Sequence, residues 1–380
     1  MADTSVLSGL DLTKWRKEFI REFVRDSGFE PYMGDSPMDI IHVINDLKTD
    51  GYTIRIPLVS RLQTGGVSGN GRLSGNEERL DQYYQDIQWE YYRNAIEVSK
   101  KEREKSAVDL LAVRRPLLKE WTSEIIKYSI ISCFHQMPSG TPYSAATATD
   151  QNNFITYNSD RVLFGHAKSN NTSTMSTSLA NVGTTSDKLQ TSIISQAKRM
   201  ARTAAPHIRP FKTGTQGREY YVLFCHPLCF RDLKLDTVMQ NANRDARARE
   251  GNGMDKNPLF QDGDLIYDGV ICREIPEFLM PRQGSLTSTN TNATPDTHLS
   301  GVGASSVDVG VNFLCGAQAI GFVNKQAATP IMKKEDDYGF FDGVGIELAY
   351  GTSKLRWNNG AGTNKDLGML TLYCAASADS

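Results

Sequence analysis

The sequence predicts an α+β chain, a mixed body that carries two projections: an amino-terminal arm and a long two-stranded flap. Three observations support this. Strict two-residue alternation over 52–59 and 86–91 is the period of half-buried strands. Apolar residues spaced by three and four over 103–134 mark the longest helical pattern in the chain. Strand patterns return at 219–225, 343–351 and 366–375 after polar stretches, and no internal repeat interrupts the order.

Over 12–25, Leu12, Trp15, Phe19 and Phe23 recur at helical spacing, with basic and acidic residues on the other faces. Ser27-Gly28-Phe29-Glu30-Pro31 and Gly34-Asp35-Ser36-Pro37 follow as turn-rich segments, which leave that apolar stripe without a neighbour in sequence. The opening residues are therefore expected to form an arm. In the first strand, Tyr52, Ile54, Ile56 and Leu58 share one face, and Thr53, Arg55, Pro57 and Val59 the other. Pro57 cannot donate to a ladder, so this strand belongs at an edge or in an extension. In the second, Ile87, Trp89 and Tyr91 share a face opposite Asp86, Gln88 and Glu90. The connection carries Gly65, Gly66, Gly69, Gly71 and Gly75 and far exceeds a hairpin loop, so the pair reads as a flap with a long loop at its tip.

Leu110, Val113, Leu117, Trp121, Ile125 and Tyr128 carry the long helix, which Pro116 is expected to kink or split. Residues 139–178, rich in Ser, Thr, Asn and Ala, read as surface or interdomain material with a short hairpin around 154–164. Leu189, Ile193, Ala197 and Met200 restore helical spacing, with Ser186 as the cap. The strand 219–225 leads through Pro227, suited to a first helical turn, into a helix reaching about Asn241. Arg244, Arg247 and Arg249 lie in a Gly/Asn-rich basic loop, 263–278 reads as strands, and 283–306 as a second polar loop.

Composition excludes several classes. With 39% apolar and 23% charged residues, and 31 Gly and 14 Pro in 380 residues, the chain is neither disordered nor collagen-like. The balance of 42 basic against 44 acidic residues gives −2, no bulk positive field to grip a polyanion. The amino terminus lacks the basic start and apolar core of a secretory signal, and no stretch approaches a membrane span, so the chain is expected to remain where it is made. The six cysteines, Cys133, Cys225, Cys229, Cys272, Cys315 and Cys374, read as reduced and buried.

No residue stands out as catalytic, cofactor-binding or metal-ligating. The loop from Gly66 to Gly71 has glycines spaced as in a phosphate-cradling loop, but Arg72 and Leu73 follow where that chemistry needs a lysine and a hydroxyl, and the chain leads into a strand. Cys225, His226 and Cys229, with His207 upstream, lack a second ligand pair for zinc; they read as buried thiols and a helix-capping imidazole. Asp336-Asp337 and Glu77-Glu78 read as solvated carboxylates. Arg114-Arg115 reads first as a solvated face, and the sharper alternative is contact with phosphate or an acidic neighbour; for Arg244 to Arg249 the two readings stand even. What remains are apolar faces with too little adjacent sequence to cover them, at Trp15, Phe19 and Phe23 and at Ile54, Ile56, Leu58, Ile87, Trp89 and Tyr91. An isolated hairpin is marginal in water, which makes these nine residues candidate inter-subunit contacts and another copy of the chain the expected partner.

The residues also carry a family resemblance. Leu62-Gln63-Thr64-Gly65-Gly66-Val67, then Leu73-Ser74-Gly75-Asn76-Glu77-Glu78 and Arg93-Asn94-Ala95-Ile96, with Leu314-Cys315-Gly316-Ala317-Gln318-Ala319 and Asp366-Leu367-Gly368, resemble the N-four-like branch of tailed-phage major capsid proteins with the Hong Kong 97-type fold. The resemblance spans most of the chain from about Gly51 and implies a structural virion protein without turnover or cofactor. Self-assembly into hexamers and pentamers of an icosahedral shell around double-stranded DNA would follow. It further implies an arm over 1–48, an extended loop over 49–98, a peripheral domain with spine helix over 99–185, an axial domain over 186–326 and a return to the peripheral domain over 327–380. A scaffolding protein, a portal and a decoration protein become expected partners, with packaged DNA contacted weakly and no membrane; assembly is expected in the bacterial cytoplasm. The rival reading is a cytosolic enzyme whose flap is an active-site lid, with Cys225 and His226 as its chemistry; a nucleoprotein-like DNA coat is a third.

Overall fold

The computed structural model describes residues 28–45, 51, 53–59, 62, 64–78, 82–105, 110–213, 219–242, 265–279, 296–333, 340–358 and 364–378. The expected arm helix with Trp15, Phe19 and Phe23, the Arg244 to Arg249 loop and Asp336-Asp337 lie outside the described residues. In chain order the elements are β1 (Met33–Gly34), β2 (Ile41–Asn45), β3 (Thr53–Val59), β4 (Gln82–Gln88), β5 (Glu90–Ser99), α1 (Lys100–Lys105), α2 (Leu110–Phe134), α3 (Ala148–Tyr157), β6 (Val162–Phe164), α4 (Met175–Ala180), α5 (Thr191–Thr203), β7 (Lys212–Thr213), β8 (Glu219–Cys225) and α6 (Pro227–Leu235). They continue with β9 (Leu265–Tyr267), β10 (Val270–Glu274), β11 (His298–Leu299), β12 (Val309–Cys315), β13 (Ile320–Met332), β14 (Phe341–Lys354), β15 (Arg356–Asn358), β16 (Asn364–Asp366) and β17 (Met369–Ala375). The α+β class is as expected.

The described residues divide into two units, one of 91–126 and 326–349, the other of 28–90, 127–325 and 350–380. In the first, the outer part of β13, the first part of β14 and β5 lie side by side. Arg114 is buried there and donates to the Asp342 carbonyl at 2.8 Å, with the Asp342 carboxylate 3.6 Å away; the acidic-neighbour reading holds for Arg114, while Arg115 is exposed. Lys333 and Glu97 pair at 2.8 Å across the sheet.

The second unit is built on a mixed sheet ordered β6-β17-β12-β8-β10-β9. Every residue of β12 and of β17 is buried, because both faces of the sheet are covered. Phe224 and Phe313 point into an aromatic cluster with Phe29, Phe134 and Phe278, ring centroids 5.2–5.9 Å apart. Their neighbours Leu223, Cys225 and Leu314 point to the opposite face, onto Ile193, Ala197, Leu228 and Leu233 of α5 and α6. In the same unit, β1 and β2 join the inner part of β13 in parallel.

Several local expectations change. The long helix, described over Leu110–Phe134, runs unbroken through Pro116: the buried Leu118, Ile130, Ile131 and Phe134 downstream offset a proline cost of ~3 kcal/mol. The hairpin expected around 154–164 is instead α3 followed by β6. The Thr147 side chain accepts from Asp150 N at its start, and Phe154 and Ile155 are buried, so this is core rather than surface material. Ser186 does not cap α5; the carboxylate of Asp236, distant in sequence, accepts from both Thr191 N and Oγ1 at 2.8 Å. The strand 219–225 and Pro227 at the first turn of α6 stand as expected; α6 ends at Leu235, and after a break at Asp236 residues 237–242 are helical again.

Candidate assembly surfaces

The flap belongs to the second unit and is a two-stranded antiparallel sheet, β3 on β4, with Ile54 opposite Ile87 and Arg55 opposite Asp86. Exposure alternates along β3 as its sequence does. On the outward face, Arg55 donates through Nε and Nη2 to the two Asp86 carboxylate oxygens at 2.7 and 2.9 Å, and its guanidinium lies 3.9 Å above the Tyr84 ring. This hydrogen bonding holds the Asp86 carboxyl below its usual range and raises Arg55.

The inward face corrects the premise that only another copy could cover it. Ile87 is 1% exposed and packs with Val323 and Leu355 of its own chain, with Ile44, Ile54, Ile56 and Leu367 against them. Tyr83 meets Trp357 edge-on at 5.4 Å, and Gln85 donates to Lys354 O at 2.6 Å and accepts from Arg356 N at 2.6 Å. The cover comes from β13 and β14 and from the turn after β16, hundreds of residues away, which adjacent sequence cannot reveal. Ile87, Trp89 and Tyr91 are also not residues of one strand: β4 ends at Gln88 and β5 begins at Glu90, with Trp89 at the break. The Trp89 indole donates to Gly51 O at 2.8 Å, and β14 approaches this break so closely at Gly351 that a Cβ there would strike Gln88. Tyr91 lies on β5, in the first unit.

What stays uncovered is the outer half. Val59, Leu62, Leu73 and Tyr84 are 56%, 64%, 65% and 55% exposed, Leu58 is half-buried, and Tyr91 is 53% exposed. At the tip, Glu78 accepts from Thr64 N and Oγ1 at 3.0 and 2.7 Å, and Glu77 from Gly75 N at 2.7 Å, so this carboxylate pair staples the loop. Gly66, Gly69 and Gly75 have φ of +69°, +65° and +91°, conformations that glycine adopts without cost. Beneath the end of β3 lies a groove of about 1100 Å³ lined by Ile56, Leu58, Val59, Pro206, Leu355 and Trp357.

The thiol and imidazole residues do not form a reactive pair. All six cysteines are buried and free. Burial, then the neighbouring Cys272, pushes the Cys225 thiol well up, and its Sγ donates to Leu223 O. His226 is the N-cap residue of α6, but its imidazole caps nothing: it is buried, burial holds it down at about 3, and among the described residues neither ring nitrogen has a hydrogen-bond partner. Among the described residues no group of three His, Cys, Asp or Glu could hold a metal ion, and no helix is long and apolar enough to cross a membrane. One constellation escaped sequence reading: Lys354, Arg356 and Asp366, all buried, with Lys354 Nζ 2.5 Å and Arg356 Nε 3.5 Å from the Asp366 carboxylate. It locks the flap's backing strands.

Comparison with known proteins agrees with this architecture. A family model described as phage capsid protein matches residues 3–378. A major capsid protein of Pseudomonas phage KPP25 is 24% identical over 96% of this chain and 95% of its own length. The capsid protein of cyanophage Pam1 superposes with a TM-score of 0.86 at 30% identity, covering both chains completely. That of Ralstonia phage GP4 does so with a TM-score of 0.68 at 19% identity, again over both full chains, and shares the fold.

Proposed function

The chain belongs to the phage capsid protein family and is a structural protein of the phage head with the Hong Kong 97-type capsid fold; on that premise we propose that its copies close an icosahedral shell of hexamers and pentamers around double-stranded DNA, with the outer half of each flap lying on a neighbouring copy. The observation that carries the flap's role is its division into a covered base and a bare end: Ile87 is sealed by its own chain, while Val59, Leu62, Leu73 and Tyr84 are not. Each apolar patch contributes ~25 cal/mol per Å² when covered, and many such modest contacts per subunit act together through multivalency. The near-neutral charge of −2 suits a wall that encloses DNA without gripping it.

Within this reading, 49–98 is the extended loop, 99–185 with α2 as spine and 327–380 form the peripheral domain, 186–326 the axial domain, and 1–48 an arm linking capsomers. Scaffolding, portal and decoration proteins are the further partners, and assembly takes place in the bacterial cytoplasm. Deleting residues 63–75 tests the central claim. The subunit is expected to keep its thermal midpoint yet sediment as unassembled protein, and closed shells at wild-type yield in electron micrographs would overturn the flap's role. Leu62→Asp is the milder form of the same test. Trp89→Asp is not, because that side chain is tied to Gly51 inside the subunit.

A further inference from the structure

Two buried histidines that the assembly reading does not use hold one short segment. The described chain resumes at Asp296, and β11 pairs with β12 through His298 opposite Gly310 and Leu299 opposite Val309. His135 holds the start of this segment. Its Nδ1 lies 2.6 Å from the Asp296 carbonyl, which can only accept, so Nδ1 carries the proton; Nε2, 2.8 Å away from the Tyr373 hydroxyl, accepts from it. The ring also stacks on Tyr143 at 4.7 Å. His226 holds the other end, its ring nearly parallel to that of His298 at a centroid distance of 5.2 Å. It is fully buried against β12, where a Cβ on Gly310 would sit 3.0 Å from its ring. Among the described residues neither nitrogen of His226, nor Nδ1 of His298, has a hydrogen-bond partner.

We propose that residues 296–299 form an acid-labile clasp: on acidification, proton uptake by His135 and His226 releases this segment from the sheet while the rest of the second unit stays folded.

The surroundings of both rings favour their neutral forms. His226 faces His298 on β11, Asp308 just before β12, and Cys229 of α6, whose Sγ meets β12 at the same Gly310. Asp308 Oδ2 lies 3.7 Å from His298 Nε2, while its Oδ1 accepts from Ser300 Oγ and Gly301 N; its charge favours the cationic form of both rings, and burial outweighs it. His135 faces Tyr143, Tyr373 and the Lys354 ammonium; the Asp296 carboxylate beside it accepts from Ser144 N. Among the described residues no carboxylate is hydrogen-bonded to either imidazole. An imidazolium at His226 would have no acceptor, and one at His135 would add a second cation near Lys354.

Burial lowers both histidines from 6.5 to about 3. A base depressed in this way binds fewer protons in the closed state than in the open one. Closure is therefore fully favoured above pH 6.5 and weakens as pH falls towards the folded values. At pH 5.0 each histidine freed on opening weakens closure by about 30-fold, and two by about 1000-fold.

Amide hydrogen exchange of the full chain at pH 7.5 and 5.0, expressed as protection factors, tests the clasp. Peptides covering 296–302 are expected to lose at least ~30-fold in protection, with those of β12 and β17 changing less than ~3-fold. Unchanged protection at 296–302, or a loss shared equally by β12 and β17, overturns the proposal. His226→Leu should make the drop about 30-fold smaller than in the wild-type chain; a full wild-type drop overturns the role of His226.

Discussion

The flap and the central sheet both present apolar strand residues, and these end in opposite circumstances. In β12 and β17 every side chain is buried, while in β3 exposed and half-buried residues alternate to the end of the strand. The sheet has aromatic rings on one face and α5 and α6 on the other. The flap has a thin backing of Val323, Leu355 and Leu367, which covers its base and stops short of Val59, Leu62 and Leu73. Apolar strands thus do two jobs in one unit. In the sheet they hold the subunit, and at the end of the flap they stay exposed on it.

That contrast can be broken first in the sheet. Phe224→Ala removes the ring that meets Phe29, Tyr32 and Phe134, and is expected to cost about 3–5 kcal/mol in denaturant unfolding of the subunit; a loss below ~1 kcal/mol would mean that the sheet is not the stability centre. Asp366→Asn is expected to cost about 3–5 kcal/mol because it leaves Lys354 and Arg356 buried without their anion, whereas the combined change Lys354→Met, Arg356→Met and Asp366→Leu, which removes the whole charged cluster, should recover much of that loss in the same assay. At the flap's base, Ile87→Ala should cost about 2 kcal/mol, since its cluster is small, and raise amide exchange in β3 and β4 before anywhere else. Smallest of all, Asp86→Ala on the outward face should leave the thermal midpoint unchanged, because the pair with Arg55 is solvated. A clear drop there would make the outer flap as structural as the sheet.

Much of this was legible in the residues themselves. Alternation at 53–59 is visible because one face of β3 meets water, and Pro227 announces α6 because its ring fits only a first turn. The failures share a cause. Ser186 is near in sequence, yet Asp236 caps α5, and Phe154 reads as strand until Thr147 and the buried side of α3 are seen together. The stripe at Ile54, Ile56 and Ile87 looked bare because its cover comes from residues beyond 320. The buried charges Lys354, Arg356 and Asp366 have no local pattern at all, since a salt bridge is a property of distance in space.

By itself the sequence determined the α+β class, the order of flap, long helix and returning strands, the burial of the cysteines, and a family likeness carried by short glycine-containing segments. These rest on periodicity and backbone freedom, which act over a few residues. Only the tertiary structure decided which apolar face is already covered and which is left bare, where Trp89 breaks the ladder, and that His135 and His226 close on one segment. Each of those depends on residues brought together from opposite ends of the chain, and burial exists only once they have met.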